Sequence, residues 1–208
     1  MPDLPATSRM AKAVGIDLAG SAKRDTGFCV MDARMLCHTS VLHTDDEIFT
    51  VTVSATPDVV SIDAPLFLPK GRVSLDTRGP PHFRECDLEL RRMKIRFFPI
   101  SLGPMRMLTA RGMRLRARLE EDGIEVIESF PGAIQDILGI PRKQVGLKEL
   151  ELGLQSQGVR WGDPMATRSG DELDAATSAL VGMLYLKKEY RAIGDPSEGL
   201  MILPRSMP

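Results

Sequence analysis

Cysteine is scarce in this sequence, which has only three among 208 residues: Cys29, Cys37 and Cys86. Three irregularly spaced cysteines are too few for a disulfide framework, and none lies in a Cys-x-x-Cys or Cys/His pattern that binds zinc. The sequence therefore argues against a disulfide-stapled secreted protein and against a structural zinc site. A reducing compartment fits this cysteine content best.

Long apolar runs are also missing. The longest, residues 179–186, is far shorter than the roughly 20 residues that a membrane helix needs. Residues 1–12 lack the apolar stretch of a secretion signal. We therefore expect a cytoplasmic protein with no membrane partner, in which residues 1–12 are a poorly ordered lead-in and residues 13–208 form one domain. The sequence leaves the oligomeric state open, a homodimer included.

Positive charge is concentrated in one region, although the formal net charge is only −1. Residues 70–118 contain 13 lysines and arginines against four acidic residues. Such a region is typical of a surface that meets a polyanion, and a solvated helix face is the alternative interpretation. If the polyanion is nucleic acid, the candidate contacts are Arg84, Arg91, Arg92, Arg111 and Arg114.

The hydrophobic pattern predicts an α/β fold. Three short strands, over residues 13–18, 26–31 and 35–44, form an antiparallel meander, and two further strands run parallel to the first. The expected architecture is a mixed five-stranded sheet flanked by helices, with an Arg-rich insertion at residues 70–104 and a C-terminal strand near residues 199–204. Acids at residues 45–47 favour a helix start, whereas the β-branched residues that follow favour a strand.

Carboxylates recur at the ends of the predicted parallel strands. Asp17 ends the first strand, Asp63 ends a short apolar strand before Pro65, and Glu128 lies near the end of the next one. Open α/β sheets place their sites at the carboxyl ends of strands. An ionised carboxylate in a buried strand needs a compensating cation. The alternative is that Asp17 and Asp63 only form turns.

Asp171 and Asp174 lie three residues apart near the start of an alanine-rich helix. This spacing places both carboxylates on one helix face. Aspartate is a poor residue for a helix interior, so Asp174 favours a functional role. Asp171 fits equally well as a negative charge at the helix N-terminus.

Taken together, these motifs resemble the domain of unknown function family 429, whose members are described as predicted nucleases with a ribonuclease H-like fold. The resemblance extends from about residue 13 to residue 204. The matching segments are Gly15-Ile16-Asp17, Ser61-Ile62-Asp63-Ala64-Pro65, Arg84-Glu85-Cys86-Asp87, Ile127-Glu128-Ser129-Phe130-Pro131-Gly132, Glu172-Leu173-Asp174-Ala175, and Ile193-Gly194-Asp195-Pro196 with Glu198-Gly199 and Pro204.

The pattern is similar, more distantly, to the Holliday-junction resolvases of the ribonuclease H-like superfamily. That similarity implies metal ligands at Asp17, Asp63, Asp171 and Asp174. The carboxylates that we expect to be catalytic are Asp17, Asp63 and Asp174, together with Glu128 at the end of its strand. Glu128 has no direct counterpart in those resolvases and is expected either to bind metal or to support a ligand. The implied cofactor is Mg²⁺ or Mn²⁺, with Asp17 and Asp63 bridging two ions about 4 Å apart.

Two other functions remain open at this point. The segment Gly15–Ser21 also resembles the first phosphate-binding loop of actin-like ATPases, although the second glycine-rich loop of those proteins is missing from the sequence. A non-catalytic domain that binds metal or nucleic acid is the other alternative. A divalent-metal-dependent nuclease is the function that the motifs favour.

Overall fold

A computed structural model describes residues 9–205, and its centre is a single eight-stranded mixed sheet. The strands are β1 (Lys12–Asp17), β2 (Thr26–Asp32), β3 (Leu36–Leu42), β4 (Val59–Asp63), β5 (Val126–Ser129), β6 (Arg160–Trp161), β7 (Tyr190–Ile193) and β8 (Met201–Pro204). The helices are α1 (Asp45–Ala55), α2 (Glu85–Arg92), α3 (Gly103–Glu121), α4 (Pro131–Leu138), α5 (Leu147–Ser156) and α6 (Gly170–Leu186).

The spatial order of the strands is β6-β3-β2-β1-β4-β5-β8-β7. The antiparallel meander of β1, β2 and β3 is confirmed, and so is the parallel pairing of β1 with β4 and of β4 with β5. The predicted number of five strands is wrong. Strand β8 joins β5 in parallel and β7 in antiparallel, while β6, only two residues long, extends the other edge.

The two faces of the sheet have separate apolar cores. Val14 and Ile16 of β1 point to the face that α1 and α3 cover, where they pack with residues such as Leu115 and Leu119. Ala13 of β1 points to the opposite face, which α6 covers with its buried residues. Strand residues alternate between faces, so a central strand buried on both sides is apolar throughout. This double burial leaves the strand ends as the places where polar groups can lie.

Glycine allows α6 to approach the sheet closely. A Cβ atom at Gly27 would lie 1.9 Å from the backbone oxygen of Asp171, and one at Gly15 would lie 2.0 Å from that of Ala175. Real Cβ atoms do not approach backbone oxygens so closely, so any larger residue must push the helix away. The two glycines therefore fix how near the first turn of α6 comes to the end of β1.

Gly27→Val is expected to destabilise the protein by about 1–3 kcal/mol or more, because it overpacks the contact between β2 and α6. Thermal unfolding measures this effect. Gly103→Ala is the matched control, since a Cβ atom there meets nothing within 4 Å. An unchanged melting temperature in Gly27→Val would contradict this close packing of α6 on the sheet.

Two segments with ambiguous patterns have definite structures. Residues 45–55 form α1, whose capping box joins Thr44 and Glu47; two satisfied backbone donors outweigh the β-branched residues that favoured a strand. In the predicted insertion, the buried Arg72 donates to four backbone carbonyls, at Leu75, Thr77, Gly79 and Pro81. That segment is therefore an ordered loop followed by α2.

The ends of the described chain bear on two further expectations. Residues 1–8 of the predicted lead-in lie outside the described residues, while Arg9 donates to Asp58 over 2.9 Å and Lys12 begins β1. Within residues 9–205, no helix is both long enough and apolar enough to cross a membrane.

Candidate active site

Asp17 and Asp63 lie side by side at the ends of the two central parallel strands. They are partners in the β1–β4 register, so their backbones are separated by the inter-strand spacing of about 4.8 Å. The sequence predicted that these residues end adjacent strands, and the register confirms it. Both residues are partly buried, because they end strands that are themselves buried.

Helix α6 brings two more carboxylates to this place, and one lysine contacts them. The Nζ atom of Lys143 lies 2.8 Å from Asp174 Oδ2, 3.1 Å from Asp171 Oδ1 and 3.6 Å from Asp17 Oδ2. Lys143 belongs to the loop between α4 and α5, and its side chain is 32% exposed. A single ammonium group thus contacts three carboxylates from two elements.

Asp174 is held in position by a buried amide. Gln135 of α4, 1% exposed, donates from Nε2 to Asp174 Oδ1 over 2.7 Å. The same amide lies 3.2 Å from the Thr177 hydroxyl, one turn further along α6. These contacts fix the Asp174 side chain with one oxygen bound to Gln135 and the other directed at Lys143.

Negative charge at this cluster is only partly compensated. Burial raises the pKa of Asp17 to about 7, with Asp174 adding to the increase and Lys143 opposing it. Burial also raises the pKa of Asp63 well above its usual value, and Asp17 and Asp174 raise it further. One lysine is therefore not enough to neutralise the group, and a further cation would relieve the repulsion.

The Asp63 side chain differs from those of its neighbours, because its carboxylate accepts no hydrogen bond and forms no ion pair within residues 9–205. In this same part of the chain, no three acidic, histidine or cysteine side chains form a ready-made metal-binding group. The donors are nevertheless hard carboxylate oxygens, which suit Mg²⁺ or Mn²⁺. Lys143 now lies among them, so a divalent cation that binds here must displace its ammonium group.

An open cavity of about 510 Å³ leads to Asp17, Asp171 and Lys143. Its other wall is the turn after β1, which contributes Lys23, Arg24 and Asp25. The two cations of this turn can hold a phosphate in front of the carboxylates. With two cations and one carboxylate, this wall has a net positive charge and faces the acidic one.

Glu128 is bound by an arginine side chain and a backbone amide. Both of its oxygens accept from the Arg84 guanidinium, over 2.6 and 2.7 Å, and Oε2 also accepts from the Leu66 N–H over 2.8 Å. Arg84 in turn binds Asp87, with Nη2 3.0 Å from Oδ1. Because both oxygens of Glu128 are engaged in these three hydrogen bonds and the residue is only 2% exposed, this arrangement favours a positioning role over metal binding.

Two of the arginines predicted to contact nucleic acid lie inside the protein. Arg84 is 1% exposed and Arg111 is 3% exposed. The Arg111 guanidinium joins Asp45 to the backbone oxygens of Ala19 and His43, which bridges the ends of β1 and β3 and the start of α1. Both are removed from the predicted interface, because their donors already have partners in the protein.

The other three candidate arginines are on the surface. Arg114 is exposed, Arg92 pairs with Glu85 over 2.7 Å, and Arg91 stacks on Phe83 with 4.3 Å between its Cζ atom and the ring centre. Of these, Arg91 lies at a cavity that also contains Asp63. The basic region is thus divided between structural and accessible side chains.

Sequence reasoning missed Lys143 and Gln135. Gln135 carried a usable signal, since it is an amide in the middle of the apolar helix segment Ala133–Leu138. Lys143 carried none, because lysine in a polar loop is usually solvated. Its role depends on how the loop folds back over the sheet.

The fold and site together define an α/β protein with a mixed sheet, helices on both faces and carboxylates at the ends of its central strands. The fold is similar to that of T. thermophilus RuvC in complex with a Holliday junction substrate, with a TM-score of 0.51, 14% identity, and coverage of 85% of this chain and 96% of that one. A second Thermus thermophilus RuvC structure gives a TM-score of 0.47 at 13% identity, with the same coverage of both chains.

The family follows from the sequence. The chain matches, over residues 15–138, the model of the family described as "Protein of unknown function (DUF429)" and belongs to that family. Among proteins with curated functions, none matches the chain. At such low identity the likeness to RuvC shows the fold alone.

Proposed function

We propose that this protein is a divalent-metal-dependent nuclease that hydrolyses phosphodiester bonds of nucleic acid. The observation that supports this most is the convergence of Asp17, Asp63 and Asp174 from β1, β4 and α6, with one carboxylate left without a partner in the described chain. A cluster of this kind is costly for the fold unless a cation occupies it. The chain is similar in fold to a protein bound to a Holliday junction, so nucleic acid is the substrate class to test first.

In this proposal the protein's own residues have distinct tasks. Asp17, Asp63 and Asp174 hold Mg²⁺ or Mn²⁺, with Asp171 at the edge of the group, and Gln135 orients Asp174. Lys23 and Arg24 hold the phosphate that faces the carboxylates. A bound divalent cation would supply the positive charge that stabilises the charge developing on the phosphate during hydrolysis.

Cleavage of labelled single-stranded, duplex, hybrid and branched substrates with Mn²⁺ tests the proposal directly. Activity is expected with at least one substrate, and Asp17→Asn should reduce it to background. Asp122→Asn is the matched control, because Asp122 is exposed at the far end of α3. Cleavage that survives Asp17→Asn would rule out this site.

Lys143→Met is expected to have two opposite effects. Without its ammonium group the metal-free carboxylates repel more strongly, so the melting temperature in EDTA falls. Mn²⁺ no longer competes with a lysine, so the dissociation constant for Mn²⁺ is expected to decrease about tenfold. This corresponds to a gain of about 1.4 kcal/mol in binding free energy. Thermal unfolding and titration calorimetry measure the two effects. Lys148→Met, at an exposed position of α5, should change neither.

The position of Lys143 also favours a second candidate function. A lysine that permanently replaces the cation would leave a non-catalytic domain that binds nucleic acid. In that case calorimetry detects no Mn²⁺ binding to the native protein, and substrates bind without being cleaved. Mn²⁺ binding with cleavage excludes this second function.

A further inference from the structure

A second and larger cavity, of about 900 Å³, opens beside Asp63. Four of the seven phenylalanines of the chain lie in its wall: Phe83, Phe97, Phe98 and Phe130. Phe83 and Phe97 meet edge to face, with 5.9 Å between ring centres. Phe98 is 68% exposed. An exposed phenylalanine at a cavity of this size indicates a ligand with an apolar face.

The rim of this cavity is positively charged. Arg91, Lys94 and Arg96 are all exposed and line it, and none of the three has a carboxylate partner within residues 9–205. Elsewhere in the described chain, arginines commonly have such partners, as Arg92 has Glu85 and Arg118 has Asp46. Three cations without partners around aromatic walls are suited to a ligand that is flat, unsaturated and anionic.

We propose that this cavity, which we call the aromatic cavity, binds an unpaired nucleobase whose phosphate contacts Arg91, Lys94 or Arg96. The base stacks on Phe98, the one exposed ring of the four, and its backbone continues toward Asp63, which lies in the cavity wall. A base inside a duplex is stacked and paired, so it enters only if it is first flipped out at a cost of a few kcal/mol. The inference rests on the proposed nuclease function and makes its substrate a strand with at least one unpaired nucleotide next to the cleaved bond.

The binding test uses a short single strand that carries 2-aminopurine, a fluorescent adenine analogue, in EDTA so that no cleavage occurs. Stacking is expected to quench the fluorescence. Phe98→Ala should weaken single-strand binding by roughly 5- to 100-fold, the effect of losing one stacked base, while Phe98→Trp retains it. Val73→Ala removes another exposed apolar side chain, outside the cavity, and should have no effect.

Two further arms identify the source of the base. A duplex of the same sequence should bind more weakly, and its affinity should be the same for the native protein and for Phe98→Ala. Deoxyadenosine monophosphate should bind at least tenfold more weakly than the single strand; equal binding would show that the cavity takes a free nucleotide and would overturn the strand assignment. The assignment of a base pocket would be wrong if the fluorescence is not quenched and Phe98→Ala binds the single strand as tightly as the native protein. An apolar protein segment would then be the remaining candidate ligand of the cavity.

Failure of this inference and failure of the nuclease proposal give different results. If quenching occurs but no substrate is cleaved with Mn²⁺, the aromatic cavity binds a base but the proposal of nuclease activity is wrong. If cleavage requires Asp17, and Phe98→Ala changes neither its rate nor its KM for single strands, the proposal of nuclease activity is supported. The aromatic cavity then binds a different ligand.

Discussion

Asp63→Asn is expected to abolish metal-dependent cleavage and, at the same time, to stabilise the metal-free protein. The loss of activity should be roughly 100-fold or more, since a ligand to a catalytic cation contributes several kcal/mol to the transition state. The gain in stability follows because Asp63 lies beside Asp17 and Asp174 without a hydrogen bond or an ion pair in the described chain. An amide at this position removes the repulsion.

The raised pKa values also predict how the stability of the metal-free protein changes with pH. Burial and neighbouring carboxylates raise the pKa of Asp17 to about 7 and the pKa of Asp63 well above its usual value. Groups with a raised pKa in the folded state contribute stability at low pH that is lost as the pH rises through that pKa. In EDTA, the native protein should therefore lose stability as the pH rises from about 4 to about 7 because of Asp17, and the raised pKa of Asp63 adds to this loss. Asp63→Asn should flatten this loss.

Melting temperatures at pH 5 and pH 8, with EDTA or Mn²⁺, measure the effect. Each kcal/mol of repulsion corresponds to about 2–4 °C for a chain of this size. Mn²⁺ should raise the melting temperature of the native protein and of the Asp122→Asn control, but not of Asp63→Asn. If Asp63→Asn instead destabilises the protein in EDTA at pH 8, Asp63 is a structural residue and the proposed site is wrong.

The centre of the sheet could be predicted from the sequence because its signals are local. Strands buried on both faces are continuous apolar runs, and those of β1 and β4 each end in an aspartate. Once the two strands are parallel neighbours, Asp17 and Asp63 must be adjacent. The edge strands β6 and β7 could not be predicted. Strand β6 has only two residues, and β7 has a single buried residue, so neither shows a periodic hydrophobic pattern.

The partners of charged side chains could not be predicted in this way. Arg84, Arg111 and Arg114 look alike in the sequence, yet the first two are buried and the third is exposed. The difference depends on which carboxylates and carbonyls the tertiary fold places within reach of each guanidinium. Composition indicates how many cations a region has, whereas the structure decides which remain available to a ligand.

Arg84→Met is expected to destabilise the protein by about 3–5 kcal/mol, because it leaves Glu128 and Asp87 buried without their cation. The expected decrease in melting temperature is roughly 6–20 °C. Arg92→Met is the matched control. Arg92 pairs with Glu85 at the surface, where its side chain is 65% exposed, so its loss should cost no more than about 1 kcal/mol.

A double-variant cycle then decides the role of Glu128. If Glu128 positions Arg84 and the backbone at Leu66, Glu128→Gln lowers stability, and Arg84→Met with Glu128→Gln costs less than the sum of the single variants. Cleavage per folded molecule should then change little. If Glu128→Gln keeps its melting temperature but loses cleavage, Glu128 belongs to the catalytic group, as the sequence first indicated. Because Glu128 borders the aromatic cavity as well, single-strand binding in EDTA shows whether the cavity stays intact in each variant.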